Sequence, residues 1–136
     1  MRVLAIDLGD ARTGLALSDP SGTLTGRAWT VTEWNIERLA QSVVQAAEEH
    51  GVGQIVLGYP RNMDGSLGPR AEKSKGFQAL LEGLTDIPIT LWDERRTTVD
   101  AQNILLGVGK RGKKKKQMVD AVAASLILEG YLRSLS

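Results

Sequence analysis

The chain has 136 residues, 42% of them hydrophobic and 24% charged, and a net charge of +1, which is the make-up of one soluble globular domain able to bury a real core. It has no cysteine and one histidine, His50, so a disulfide framework, a thiolate metal site and a zinc site built on paired histidines are all excluded. No apolar run reaches membrane-spanning length and residues 1–8 pass directly into a strand, so neither a membrane span nor a signal peptide is expected and the cytoplasm is the default location.

The opening MRVLAIDLGDARTGLALSDP organises the rest. Val3-Leu4-Ala5-Ile6 suits a strand buried on both faces, and Asp7 follows it directly. Leu15-Ala16-Leu17 is a second apolar run, so the two predict adjacent antiparallel strands joined by the turn Asp10 to Thr13. Thr23 to Val31 has the β-branched and aromatic content of a third, edge-like strand. Asn35 can cap a helix running through Glu49, where Ile36, Leu39, Ala40, Val43, Val44 and Ala47 keep the helical period. His50-Gly51 then ends it, with glycine at the position past the cap and His50 near the negative pole of the helix, a structural duty rather than a catalytic one.

Gln54 to Leu57 reads as a buried strand parallel to the first, because a helix separates them. Tyr59 to Pro69 is dense in turn formers and reads as a loop, and residues 71–84 as a helix with Phe77, Leu80, Leu81 and Leu84 on its apolar side. Pro88 to Trp92 is a last short strand. A helix over Val99–Leu106, a break at Gly107–Gly112 and a final helix from about Gln117 to Leu132 complete the chain. The order β-β-β-α-β-α-β-α-α predicts a single domain spanning residues 1–136, with a five-stranded mixed sheet and helices packed on it.

Three acids stand out by position. Asp7 ends the first strand, Glu94 (or its neighbour Asp93) ends the last, and Asp120 lies in an otherwise apolar helix. Asp120, Ala123, Ala124, Ile127 and Tyr131 share a face by their spacing, which turns Asp120 toward the sheet. The plainer readings are that Asp7 starts a turn and that Asp120 answers the helix dipole. A carboxylate facing inward, however, must be paired, protonated or bound to a cation. If the first and last strands lie close, Asp7, Glu94 and Asp120 converge, and hard oxygen donors of this kind suit Mg²⁺ or Mn²⁺. Two such ions ~4 Å apart could activate water and stabilise the leaving oxygen in phosphodiester hydrolysis. Six of the seven residues from Lys110 to Lys116 are basic. With Arg12, Arg61, Arg95 and Arg96, all placed in loops at strand ends, they would offset phosphate charge.

Four stretches, IDLGDARTGLALSD, GYPRNMDGSLGPRAEK, WDERRTT and KKKKQMVDAVAASLILEGYL, resemble in order and spacing the YqgF/RuvX family, whose members are described as pre-16S rRNA nucleases and as Holliday junction resolvases. The resemblance covers nearly the whole chain. It implies an RNase H-like α/β fold, with Asp7, Glu94 and Asp120 as catalytic, metal-binding acids. It also implies that Arg12, Gly14, Arg61, Asn62, Gly65, Arg95, Thr97 and Thr98 are substrate contacts or loop formers. Tyr59 and Arg96 each stand where that family usually has leucine, and neither departure removes a carboxylate.

The expected activity is metal-dependent endonucleolytic cleavage of structured nucleic acid, processing the 5′ end of precursor 16S rRNA, with Lys113, Lys114, Lys115 and Lys116 on the substrate backbone. Resolution of four-way DNA junctions is the alternative and would call for a homodimer, where rRNA processing leaves a monomer sufficient. A catalytically silent nucleic-acid-binding module is a second alternative. An ATP-binding fold of the sugar-kinase type, suggested by Asp7-x-Gly9 with Gly14, would need two such domains where this chain has room for one.

Overall fold

The computed structural model describes residues 1–60, 64, 67–94 and 112–135, the last stretch with side chains from residue 120 on. Its elements are β1 (Arg2–Asp7), β2 (Arg12–Ser18), β3 (Thr25–Thr32), α1 (Ile36–Glu49), β4 (Val52–Tyr59), α2 (Pro69–Glu82), β5 (Ile89–Asp93) and α3 (Gly112–Ser134). The strands form one five-stranded mixed sheet in the order β3-β2-β1-β4-β5. The three leading strands make the expected meander, with Ala5 opposite Ala16 and Asp7 opposite Gly14. β4 then runs parallel to β1, and β5 parallel to β4. The carboxyl ends of β1, β4 and β5 therefore gather at one end of the sheet. The start of β2 and the end of β3, where Arg12 faces Thr32, lie there too.

Strand alternation sends successive side chains to opposite faces. Leu4, Ile6, Leu15, Leu17, Ile55 and Leu57 face α1 and α2, where Leu39, Val43, Phe77 and Leu81 complete a core of large aliphatic and aromatic groups. Val3, Ala5, Ala16, Val56 and Trp92 face α3, which meets them with Ala124, Ile127, Leu128 and Leu132. Asp7 follows Val3 and Ala5 in that alternation and so points to the α3 face.

The capping chemistry read from the sequence is realised. Asn35 Oδ1 accepts hydrogen bonds from the backbone N–H groups of Glu37 and Arg38, both at 3.0 Å. His50 sits at the C-cap of α1 with its Nδ1 2.8 Å from the Ala46 carbonyl, and Gly51 beyond it has φ +65°. Several boundaries differ from expectation. β3 starts at Thr25 rather than Thr23, because Asp19 organises the preceding turn, accepting from the N–H groups of Thr23 and Leu24. Tyr59 belongs to β4 rather than to the loop after it. Pro69 opens α2 instead of closing that loop: it lacks only an N–H that a helix start leaves unpaired. α2 ends at Glu82, before Gly83, so Leu84 lies outside it and is exposed.

The final helix begins at Gly112, five residues ahead of the expected start, so the lysine run is not a loop feeding a helix but the first turns of the helix itself. Lysine propagates a helix well, and its charge does not break one. The expected helix over Val99–Leu106 and the break at Gly107 lie outside the described residues. Among the described residues no helix is long and apolar enough to cross a membrane.

Candidate active site

Asp7 is the last residue of β1, and Glu94 follows the last residue of β5. The first and last strands lie close, as convergence of the acids requires, but are not neighbours: β4 runs between them. Their carboxyls nonetheless share a hydrogen bond. Gly58 on β4 explains how, because a Cβ there would stand 3.2 Å from Glu94 Oε1 and 2.8 Å from Ile127 Cδ1. The missing side chain leaves a channel over β4 through which Glu94 reaches Asp7.

Asp120 arrives from the opposite element. A Cβ at Gly14 would overlap the Asp120 carbonyl oxygen, so α3 lies directly on the β2 backbone at this point. Gly14 is the register partner of Asp7, which sets Asp120 beside it. Of the two alanines that share the face of Asp120, Ala124 is fully buried and Ala123 is half-buried. Gly14 does more than shape the turn around Asp7. Arg12, at the start of β2, gives its Nε to Asp120 Oδ2 at 3.3 Å, with the two side chains 35% and 24% exposed. The arginine expected to touch substrate thus contacts one of the acids.

The electrostatics follow from this crowding. Burial pushes the Asp7 carboxyl up to about 7, and the charge of Glu94, the hydrogen bond from Asp7 to it and the charge of Asp120 all act in the same direction, while Arg70 opposes them. Glu94 is also raised by burial, and its bond from Asp7 together with Arg70 holds it back. The two carboxyls therefore hold a proton between them above the ordinary carboxylate range. Burial raises Asp120 as well, with Arg12 working against it. Like charges brought together at the open end of a sheet create a demand for positive charge.

Part of that demand is met by two residues that the sequence reading did not single out. Arg70, in the first turn of α2, acts on both Asp7 and Glu94. Lys73, one turn later, donates to Asp10 Oδ1 at 2.6 Å and to the Gly9 carbonyl at 3.4 Å, tying α2 to the β1–β2 turn. This pair holds the exposed Asp10 carboxyl below its ordinary value. A cation in the first turn of a helix opposes the macrodipole, and that anomaly at Arg70 was the available signal.

The donor set is chemically right for a hard divalent cation: carboxylate oxygens whose mutual repulsion such an ion would relieve. The fit is partial, since among the described residues no three acidic or imidazole side chains are gathered closely enough to hold one ion in common. Asp7 and Glu94 form the ready pair, and Asp120 is occupied by Arg12. Arg61, Asn62, Arg95, Thr97 and Thr98 lie outside the described residues, as do the side chains of Lys113, Lys114, Lys115 and Lys116.

A family model described as "RuvX: Holliday junction resolvase" matches residues 1–134. A protein of Acetivibrio thermocellus named "Putative pre-16S rRNA nuclease" is 44% identical over 137 residues, covering 98% of this chain and 96% of its own length. One of Pelotomaculum thermopropionicum with the same name is 41% identical, covering 98% of this chain and 88% of that protein. Among solved structures, T. thermophilus RuvC in complex with a Holliday junction superposes with a TM-score of 0.65 at 14% identity, covering 100% of this chain and 97% of the other. That likeness identifies the fold as RNase H-like, in agreement with the strand order. With the family model spanning almost every residue, the chain belongs to the RuvX family.

Proposed function

We propose that this chain is a metal-dependent endonuclease that hydrolyses phosphodiester bonds in structured RNA and processes the 5′ end of precursor 16S rRNA; relatives 37–44% identical to it carry the name "Putative pre-16S rRNA nuclease". One observation carries the chemistry. A half-buried, hydrogen-bonded Asp7–Glu94 pair with Asp120 beside it stands at the open carboxyl end of the sheet, with cationic groups around it. Such a cluster is costly to fold unless a positively charged ligand repays the burial.

In this reading Asp7, Glu94 and Asp120 hold Mg²⁺ or Mn²⁺, which when bound supplies an activated water and charge stabilisation at the phosphate. Asp7 gives up its proton on loading, and Asp120 joins only by exchanging Arg12 for the ion. Arg12, once released, faces the phosphate that the acids would otherwise repel. Arg70 and Lys73 offset charge on the neighbouring stretch of backbone. Arg61, Asn62, Arg95, Thr97, Thr98 and Lys113 to Lys116 complete the substrate surface, with nucleic acid held mostly by its backbone and shape.

The description of the family model favours a second reading, cleavage of four-way DNA junctions. Symmetric cutting there requires two active sites and hence a homodimer. The two separate when labelled precursor rRNA and a four-way junction are offered side by side with Mg²⁺, with Mn²⁺ and with chelator. Metal-dependent cutting of the RNA alone sustains the proposal. Preference for the junction by a dimeric species replaces it with the second reading, and cutting that survives chelation removes the metal from both.

A further inference from the structure

Trp34 stands out because it is 77% exposed, the most exposed of the large hydrophobic residues described. It follows β3, whose Thr32 faces Arg12, the residue bonded to Asp120. It therefore lies at the end of the sheet that carries the acids. Its backbone is pinned on both sides. The Glu33 N–H donates to the Ala11 carbonyl at 2.8 Å, and the Asn35 N–H donates to Glu33 Oε2 at 3.1 Å, while Asn35 caps α1. A flat apolar ring is thus held out into water on a fixed support.

The local structural role open to it is a hydrophobic staple, in which Trp34 just before the cap would cover Leu39 in the first turns of α1. A ring used that way would be covered, and this one is not. Beside it opens a cavity of about 180 Å³ lined by Leu8, Gly9, Asp10, Lys73 and Ile36 among others. A second cavity of about 180 Å³ shares Leu8, Gly9, Asp10 and Lys73 and is also lined by Arg70, the residue acting on Asp7 and Glu94. Through the residues they share, the two form a groove that runs from Arg70, past Lys73, to the indole.

From this juxtaposition we infer that Trp34 is a stacking platform for an unpaired base of the RNA strand that lies across the active site, with Lys73 and Arg70 beneath the intervening backbone. The inference rests on the nuclease reading above and narrows its substrate to RNA with a single-stranded segment beside the cut. Aromatic faces bind bases without regard to sequence, and a base within a duplex is not free to leave its neighbours for one.

The test uses the full chain with a short single-stranded RNA and with the same sequence as a blunt RNA duplex. Binding is followed by indole emission in chelator, and cleavage in parallel with Mg²⁺ and Mn²⁺. Trp34→Ala and Trp34→Leu are expected to bind the single strand about 5- to 150-fold more weakly and to lose most of the emission quenching. Trp34→Phe should stay near wild type, and duplex affinity should change in none of them. Leucine preserves a staple but not a stacking face, so wild-type binding by Trp34→Leu, or an equal loss on the duplex, overturns the platform. Quenching of the wild type with no cleavage of any RNA keeps the platform and overturns the nuclease reading. Cleavage with no effect of Trp34 does the reverse.

Discussion

The two faces of the sheet are built from different materials. The face toward α1 and α2 is filled by leucine, isoleucine, valine and phenylalanine, with Phe77 and Leu81 fully buried. The face toward α3 includes Ala5, Gly14, Ala16 and Gly58, so that a helix backbone can lie on it, with the Asp7–Glu94 pair and Asp120 at its open end. The first face supplies stability by apolar burial, and the second gives up part of that gain to bring charges together. Substitutions on the two faces should therefore separate stability from chemistry.

The largest effect is expected at Asp7. Asp7→Asn should lower the cleavage rate about 10²–10⁴-fold without loss of fold. The same change should stabilise the metal-free chain. Asp7 titrates near 7 when folded against an ordinary 3.8, so the folded state binds more protons between those values. The stability from its protonation is complete below about pH 4 and is lost as pH rises through about 7. At pH 8 Asp7→Asn should thus unfold at higher denaturant than wild type, by roughly 2–4 kcal/mol. Below pH 4 the difference should vanish, and saturating Mn²⁺ should reverse its sign at pH 8.

Phe77→Ala addresses the other face. It should cost about 3–5 kcal/mol in denaturant unfolding while the molecules still folded cleave at nearly the wild-type rate. Gly14→Ala falls between the two, because its added methyl meets the α3 backbone rather than a side chain that could turn away. It should cost about 1–3 kcal/mol and also reduce cleavage, by displacing Asp120. If Gly14→Ala loses stability alone, the close approach of α3 serves packing and not the site. The smallest effect is expected from neutralising Lys113 to Lys116. RNA binding should weaken moderately and uniformly across sequences, and the slope of log affinity against log salt should drop by about 0.7 for each phosphate contact removed.

Much of this arrangement is written locally. Val3 to Ile6 followed by Asp7, the capping residue Asn35, the terminator His50-Gly51 and the spacing around Asp120 each depend on a few adjacent residues, and each is present in the fold. What escaped the sequence reading is non-local. Nothing near Asp7 or Glu94 says that β4 runs between them, and so nothing marks Gly58 as the opening they share. Arg70 and Lys73 act on the acids and the β1–β2 turn only because α2 packs beside that turn, which no local pattern announces. The lysine run misled in the opposite way. Its charge suggested a loop, where helix propensity and the apolar turns that follow carry α3 back to Gly112.

We propose that Asp7, Glu94 and Asp120 act as one catalytic group. The most direct measurement compares cleavage of labelled precursor 16S rRNA by the wild type and by Asp7→Asn, Glu94→Gln and Asp120→Asn at saturating Mn²⁺, with RNA binding measured on the same preparations. Each substitution should lower metal-dependent cleavage by about 10²-fold or more while the variant still folds and binds RNA. Cleavage at the wild-type rate by Asp7→Asn or Glu94→Gln would place the chemistry elsewhere and contradict it.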